Sequence, residues 1–171
     1  MRLSVRRIVA GAAAALVLAA CATPQTLVPY TPAAGVNNGP RAEVPNPGDD
    51  RHVLVRNLLI VTTGDGSGFL SGSLASRGEA VALRDVSGAP VRADGTAGTA
   101  FVVSGGTRVD VPARSLVVLT DQPTITVKSP DLVPGFTAEV VLTFDKGDAV
   151  RLLVPVYPST NPDFATIVPK R

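Results

Sequence analysis

An all-β domain, an antiparallel β-sandwich, follows from three features of the sequence. Its apolar runs are too short for helices, turn residues separate them roughly every 8 to 12 positions, and one segment alternates between apolar and polar side chains. The alternation is clearest from Phe136 to Asp145: Phe136, Ala138, Val140, Leu142 and Phe144 are apolar, while Thr137, Glu139, Thr143 and Asp145 are polar. A strand sends successive side chains to opposite faces, so one face of this segment packs and the other is wetted. Asp145-Lys146-Gly147-Asp148 is a hairpin turn, and Val150, Leu152, Val154 and Val156 continue the apolar face on the return strand.

The remaining elements follow in chain order. Residues 52–63 (HVLVRNLLIVTT) are rich in β-branched side chains. The turn Gly64-Asp65-Gly66-Ser67-Gly68 leads from them into a second strand at 69–76, so the pair reads as a hairpin. Shorter strands are predicted at 81–86, at Val91 ahead of the Asp94-Gly95 turn, and at 100–103, 107–111 and 115–120. Only 74–83 (LASRGEAVAL) resembles a helix, and Gly78 in its middle costs about 1 kcal/mol, so no helix is expected. About eight to ten strands result, without an internal repeat.

Composition narrows the function classes. The chain has 171 residues, with one His, one Met, one Cys and no Trp, and so lacks the side chains from which most metal, thiol and acid–base sites are built. No catalytic residue is nominated, no cofactor is expected, and the chain reads as a non-enzyme. The formal charge is +2, but Arg2, Arg6 and Arg7 belong to a leader expected to be removed, which leaves 13 basic residues against 14 acidic ones. A nucleic-acid partner, which needs clustered Lys and Arg, has no electrostatic support.

The leader has a positive start and an uncharged apolar core, IVAGAAAALVL at 8–18. Residues 8–20 supply 13 apolar or small positions, short of the roughly 20 that span a bilayer. After them comes Leu18-Ala19-Ala20-Cys21, which resembles the lipobox of bacterial lipoproteins, in which the Cys thiol receives a diacylglycerol group and becomes the new N-terminus. An exported domain with a single Cys cannot close an internal disulfide, and acylation removes an otherwise exposed thiol. Two acyl chains, at about 0.8 kcal/mol per buried CH₂, hold a protein firmly to a membrane. The expected organisation is a signal peptide at 1–20, the lipidated Cys21 and a Pro-rich linker at 21–50, a sandwich domain at 51–157, and an irregular tail at 158–171. The expected location is the extracytoplasmic face of the cell membrane, with membrane lipid as a partner through acylated Cys21.

The linker from Ala22 to Asp50 carries six Pro and three Gly in 29 residues and no hydrophobic period. Stretched as polyproline II it would reach roughly 90 Å. It reads equally as a disordered stalk or as a segment that docks through Tyr30-Thr31-Pro32 and Gly35-Val36-Asn37. His52, the single imidazole, is a weak metal candidate, because a lone His without Cys, Met or carboxylate partners closes no site. The Gly64–Gly68 segment reads as a turn, since a phosphate-cradling loop requires a helix N-terminus after its glycines and a strand follows here.

Several segments together resemble the PCuAC copper-chaperone family, and more narrowly the actinobacterial LpqE-type lipoproteins. They are VRNLLI at 55–60, VALRDVSG at 81–88, LVPG at 132–135, VLTF at 141–144, LVPV at 153–156 and, in the linker, YTPAAGVN at 30–37. The resemblance implies a cupredoxin-like or immunoglobulin-like sandwich, in agreement with the strand pattern. It also implies Cu(I) held by His and Met, including a His-x-Met element just before the segment matching 132–135. Here that stretch, 121–128, reads DQPTITVK, and no ligand carries over. The expected function is therefore a non-catalytic interaction, assembly or accessory protein, with a respiratory terminal oxidase as the partner the resemblance suggests. The alternative is a copper chaperone or metal-handling protein with a non-standard or shared site.

Overall fold

The computed structural model describes residues 40–46, 49–122 and 124–164. Ten strands run through them: β1 (Ala42–Asn46), β2 (Asp49–Thr62), β3 (Ser67–Ser76), β4 (Val81–Pro90), β5 (Val102–Gly105), β6 (Val109–Val111), β7 (Leu116–Val118), β8 (Ile125–Lys128), β9 (Thr137–Phe144) and β10 (Val150–Pro158). One 3-10 turn, Leu119–Asp121, interrupts them. The segment 74–83 divides between β3 and β4, in keeping with the rejection of a helix.

The strands follow the path β5-β8-β3-β2-β10-β9-β4-β6, with β1 beside β2 and β7 beside β3. The path folds back at β10. Its first part pairs antiparallel with β9, Leu152 opposite Val140 and Val154 opposite Ala138. Its end runs parallel to β2, with Val156 opposite Ile60 and Pro158 opposite Thr62. This parallel pair departs from the wholly antiparallel expectation, and it joins the two layers of an all-β sandwich. Val53, Val55, Leu58, Ile60, Leu70 and Leu74 from β2 and β3 share one core with Val81, Leu83 and Val86 of β4 and with Val140, Leu142, Leu152 and Val154 of the β9–β10 hairpin.

The period-two segment behaves as its sequence dictates. Ala138, Val140 and Leu142 are fully buried and Phe144 nearly so, while the residues between them are partly exposed. Phe136 is the exception, 42% exposed, because β9 begins one residue later and Phe136 closes a turn onto the Val133 carbonyl.

A β-bulge decides which side chains of β2 face the core. Arg56 pairs with Ser73 and Leu59 with Ser71, so β2 spends one residue more than β3 over this interval. The extra residue reverses the alternation: Val53 and Val55 face inward before it, Leu58 and Ile60 after it. Asn57 sits at the bulge with φ of 51°, a left-handed conformation that Asn tolerates better than most residues. Across from it Gly72 has φ of 148°, and a Cβ there would meet the Arg56 and Asn57 carbonyl oxygens at 3.1 Å. The inversion also sends Leu59 and Val61 to the outer face, where they join Phe69 and Phe164 in a second, smaller apolar cluster.

Both ends of the domain differ from expectation. The linker expected to run to residue 50 already contains β1, which pairs with β2 from Ala42 opposite Val55 to Pro45 opposite His52. Three of the linker prolines lie at or after residue 40, but Arg41-Ala42-Glu43-Val44 is a four-residue run without Gly or Pro that can pair. The tail expected to be irregular from 158 starts as the last residue of β10, and Ser159 donates its N–H to the Thr62 carbonyl. The tail then turns so that the Phe164 ring stands 5.0 Å from that of Tyr157.

Candidate functional site

The segment 121–128 starts at the end of the 3-10 turn, where the Gln122 N–H returns to the Leu119 carbonyl, and continues into β8. Ile125 and Val127 point into the core and Lys128 is exposed. The polar side chains left to it are the carboxylate of Asp121, the amide of Gln122, the hydroxyls of Thr124 and Thr126, and the ammonium of Lys128. None is a soft donor, and thioether and imidazole are what Cu(I) prefers. The chain as a whole has one His, one Met and one Cys. Among the described residues no three His, Cys, Asp or Glu side chains come together as a metal cluster. The donor set does not fit a His/Met copper site.

His52 lies in β2, its backbone opposite Pro45 of β1, and its side chain is outside the description. Cys21 and the lipobox residues Leu18, Ala19 and Ala20 lie outside the described residues. The Gly64–Gly68 segment forms the turn from β2 into β3, with Ser67 and Gly68 already in β3. Asp65 accepts hydrogen bonds from the Thr63 hydroxyl at 2.6 Å and from the Ser67 N–H at 3.0 Å, which holds its carboxyl below the ordinary range. Its acceptors serve the turn itself.

Two arrangements were not singled out by the sequence reading. The first is a polar knot at one end of the sandwich, built on Asp131. One carboxylate oxygen of Asp131 accepts from the Thr99 N–H at 2.7 Å, the Thr99 hydroxyl at 2.8 Å and the Arg92 guanidinium at 3.1 Å. These donors, the Thr99 amide first, lower its pKa to about 2. Ser129 adds a bond from its hydroxyl to the Thr99 carbonyl and one from its N–H to the Gly66 carbonyl. Three connections are thus fastened together: the β2–β3 turn, the loop after β4 and the loop before β9. The residues concerned are 30 or more positions apart, so no local pattern announces the knot.

The second is a groove of about 460 Å³ on the outer side of β1 and β2, lined by Arg41, Glu43, Leu54, Arg56 and Arg77 among others. Glu43 opposite Leu54 and Ala42 opposite Val55 set the register, and Arg41 stands immediately before β1 at the end of this pairing. Arg77 ion-pairs with Glu43 at 3.5 Å. Alternation of charged and apolar residues in 41–44 was the available signal. It was not usable because β1 was read as linker.

The sequence matches no protein-family model and no curated protein. Solved structures do match. The apo PCuAC domain from PmoF1 superposes with a TM-score of 0.51 at 14% identity, covering 69% of this chain and 98% of that one. The copper-bound PCuAC domain from PmoF2 gives 0.46 at 16% identity, with 68% and 98% covered. The apo PmoF2 PCuAC domain gives 0.46 at 14% identity, with 70% and 97% covered. At such identity the likeness is one of fold, carried by the PmoF1 superposition, and the chain has the all-β sandwich fold of a PCuAC domain.

Proposed function

We propose that this chain is a non-catalytic, copper-chaperone-like accessory domain that handles copper only together with a protein partner, which supplies the soft donors. The observation that carries the reading is a conjunction: a PCuAC-type sandwich whose segment 121–128, where the resemblance puts the His-x-Met element, offers oxygen and amide groups instead. A Cu(I) ion needs two or more soft ligands held at once. With one His and one Met in 171 residues, the missing donors have to come from elsewhere.

The domain is proposed to belong with the LpqE-type lipoproteins and to be held at the extracytoplasmic face of the membrane by acylated Cys21. A respiratory terminal oxidase, which carries copper centres of its own, is the proposed partner. Cross-linking in intact membranes followed by mass spectrometry tests this. Recovery of a copper-bearing membrane protein is the expected result, and recovery of none removes the partner from the account. Cys21→Ala should release the protein from the membrane fraction; firm retention contradicts the anchor.

A second reading, an interaction or assembly domain that never touches copper, is favoured by the same donor poverty. The two separate on one point: only the shared-site reading expects copper in the cross-linked complex that neither component holds alone.

A further inference from the structure

We propose that the groove on the outer face of β1 and β2 is an anion site that takes a phosphate ester between Arg41, Arg56 and Arg77. Three guanidinium groups line it against one carboxylate, Glu43, and that carboxylate is engaged by Arg77 at 3.5 Å. Among the described residues Arg41 and Arg56 make no ion pair, so three guanidinium groups face one carboxylate in the groove, an excess of two positive charges. Charges left unmatched on adjacent strands of one sheet face repel each other across the pair, a cost that an anion between them reverses.

Register explains the convergence. Residues directly opposite in an antiparallel pair share a face. Glu43 of β1 therefore stands on the same side as Leu54 of β2 and, two residues on, Arg56, while Arg41 directly precedes β1 and lines the same groove. Leu54 in turn stands opposite Ala75 of β3, and Arg77, one residue past the end of β3, reaches the same groove through its ion pair with Glu43. The bulge at Asn57 ends this face immediately after Arg56, since beyond it the outer side belongs to Leu59 and Val61.

Arginine is suited to this ligand. The planar fork of a guanidinium meets two phosphate oxygens at once, which an ammonium cannot do. A volume near 460 Å³ exceeds what a bare phosphate fills, and half-buried Leu54 supplies apolar surface for the carbon body of an ester. The chemistry is shared by a soluble phosphate ester and by the headgroup of an anionic phospholipid. Arg41 directly precedes β1, so the chain that leads back to acylated Cys21, as proposed above, continues from the rim of the groove. The anion site itself stands without that tether and without the copper reading.

The test uses the full nitrogen-15-labelled chain carrying Cys21→Ser, which blocks acylation, in uncharged dodecyl maltoside micelles. Glycerol phosphate is added in one arm and phosphatidylglycerol is doped into the micelles in the other. Saturable shifts of the amides of Ala42, Leu54, Arg56 and Arg77 are expected, weakened by about tenfold or more in the Arg41→Glu/Arg56→Glu double variant. Both side chains are exposed, so the remaining spectrum should be unchanged and reports that the variant is folded. Saturation at lower concentration with phosphatidylglycerol assigns the site to a lipid headgroup; saturation with glycerol phosphate alone, or at lower concentration, assigns it to a soluble ester. Absence of saturable shifts in both arms overturns the proposal, as do shifts that survive the double variant in a folded protein.

Discussion

Asn57 does two things at one position. Its left-handed backbone makes the bulge, and its side-chain carbonyl oxygen is buried without a hydrogen-bond partner among the protein groups. A β-branched residue cannot adopt that φ without strain, so Asn57→Val should destabilise the domain by roughly 1–2 kcal/mol. Asn57→Gly keeps the conformation and removes the unsatisfied oxygen, and should leave the urea midpoint close to that of the parent. A lowered midpoint in both variants would mean that the side chain, not the backbone, holds the bulge. Asp131 carries a pH dependence whose sign follows from its donors. Its folded pKa of about 2 lies below the ordinary aspartate value near 3.8, so its stabilising contribution is complete above that value and disappears as pH falls through 2. In urea unfolding, the gap between the parent and Asp131→Asn should therefore be narrower at pH 2 than at pH 7; an equal gap would assign the loss to packing.

At the scale of elements, legibility tracked how local the determining interaction is. The β9–β10 hairpin could be read directly, because its alternation and its turn lie within 21 consecutive residues, 136–156. The β2–β3 hairpin was readable for the same reason, although its bulge was not, since one Asn in an apolar run gives no count of the residues opposite. β1 escaped because the prolines around it pointed to a linker; it forms as a strand added along β2, and its partner is not visible in its own composition. β8 was passed over, as four residues with only Ile125 and Val127 buried make a weak period. The tail is the last such case. Phe164 covers Leu59, Val61 and Phe69 from 95 positions away in the last instance, and a single aromatic after two prolines carries no sign of its target. Phe164→Ala should cost about 2 kcal/mol, the contribution of one buried aromatic ring, with no change in the core around Leu142. Urea unfolding and methyl spectra check this, and an unchanged midpoint would mean that the Phe164 ring contributes nothing.

For the whole molecule, the parallel pairing of β10 with β2 turns two antiparallel layers into one curled sheet, and it ends in strands too short to template another chain. β5 and β6 close the path with four and three residues, which limits edge-to-edge association. The sandwich class was legible from strand number and turn spacing. The parallel joint was not, because it depends on where the ends of two strands some 100 residues apart meet. The candidate site was legible mainly through donor chemistry: the counts of His, Met and Cys already limit what the fold can hold. The groove required the β1 register. The central claim is that this chain cannot close a Cu(I) site alone. The most direct measurement is a titration of the full chain carrying Cys21→Ser, so that no free thiol competes, with Cu(I) against a chromophoric chelator. No binding tighter than about micromolar is expected, and no difference in His52→Ala. Tight one-to-one binding by the chain alone, lost in His52→Ala, would contradict it.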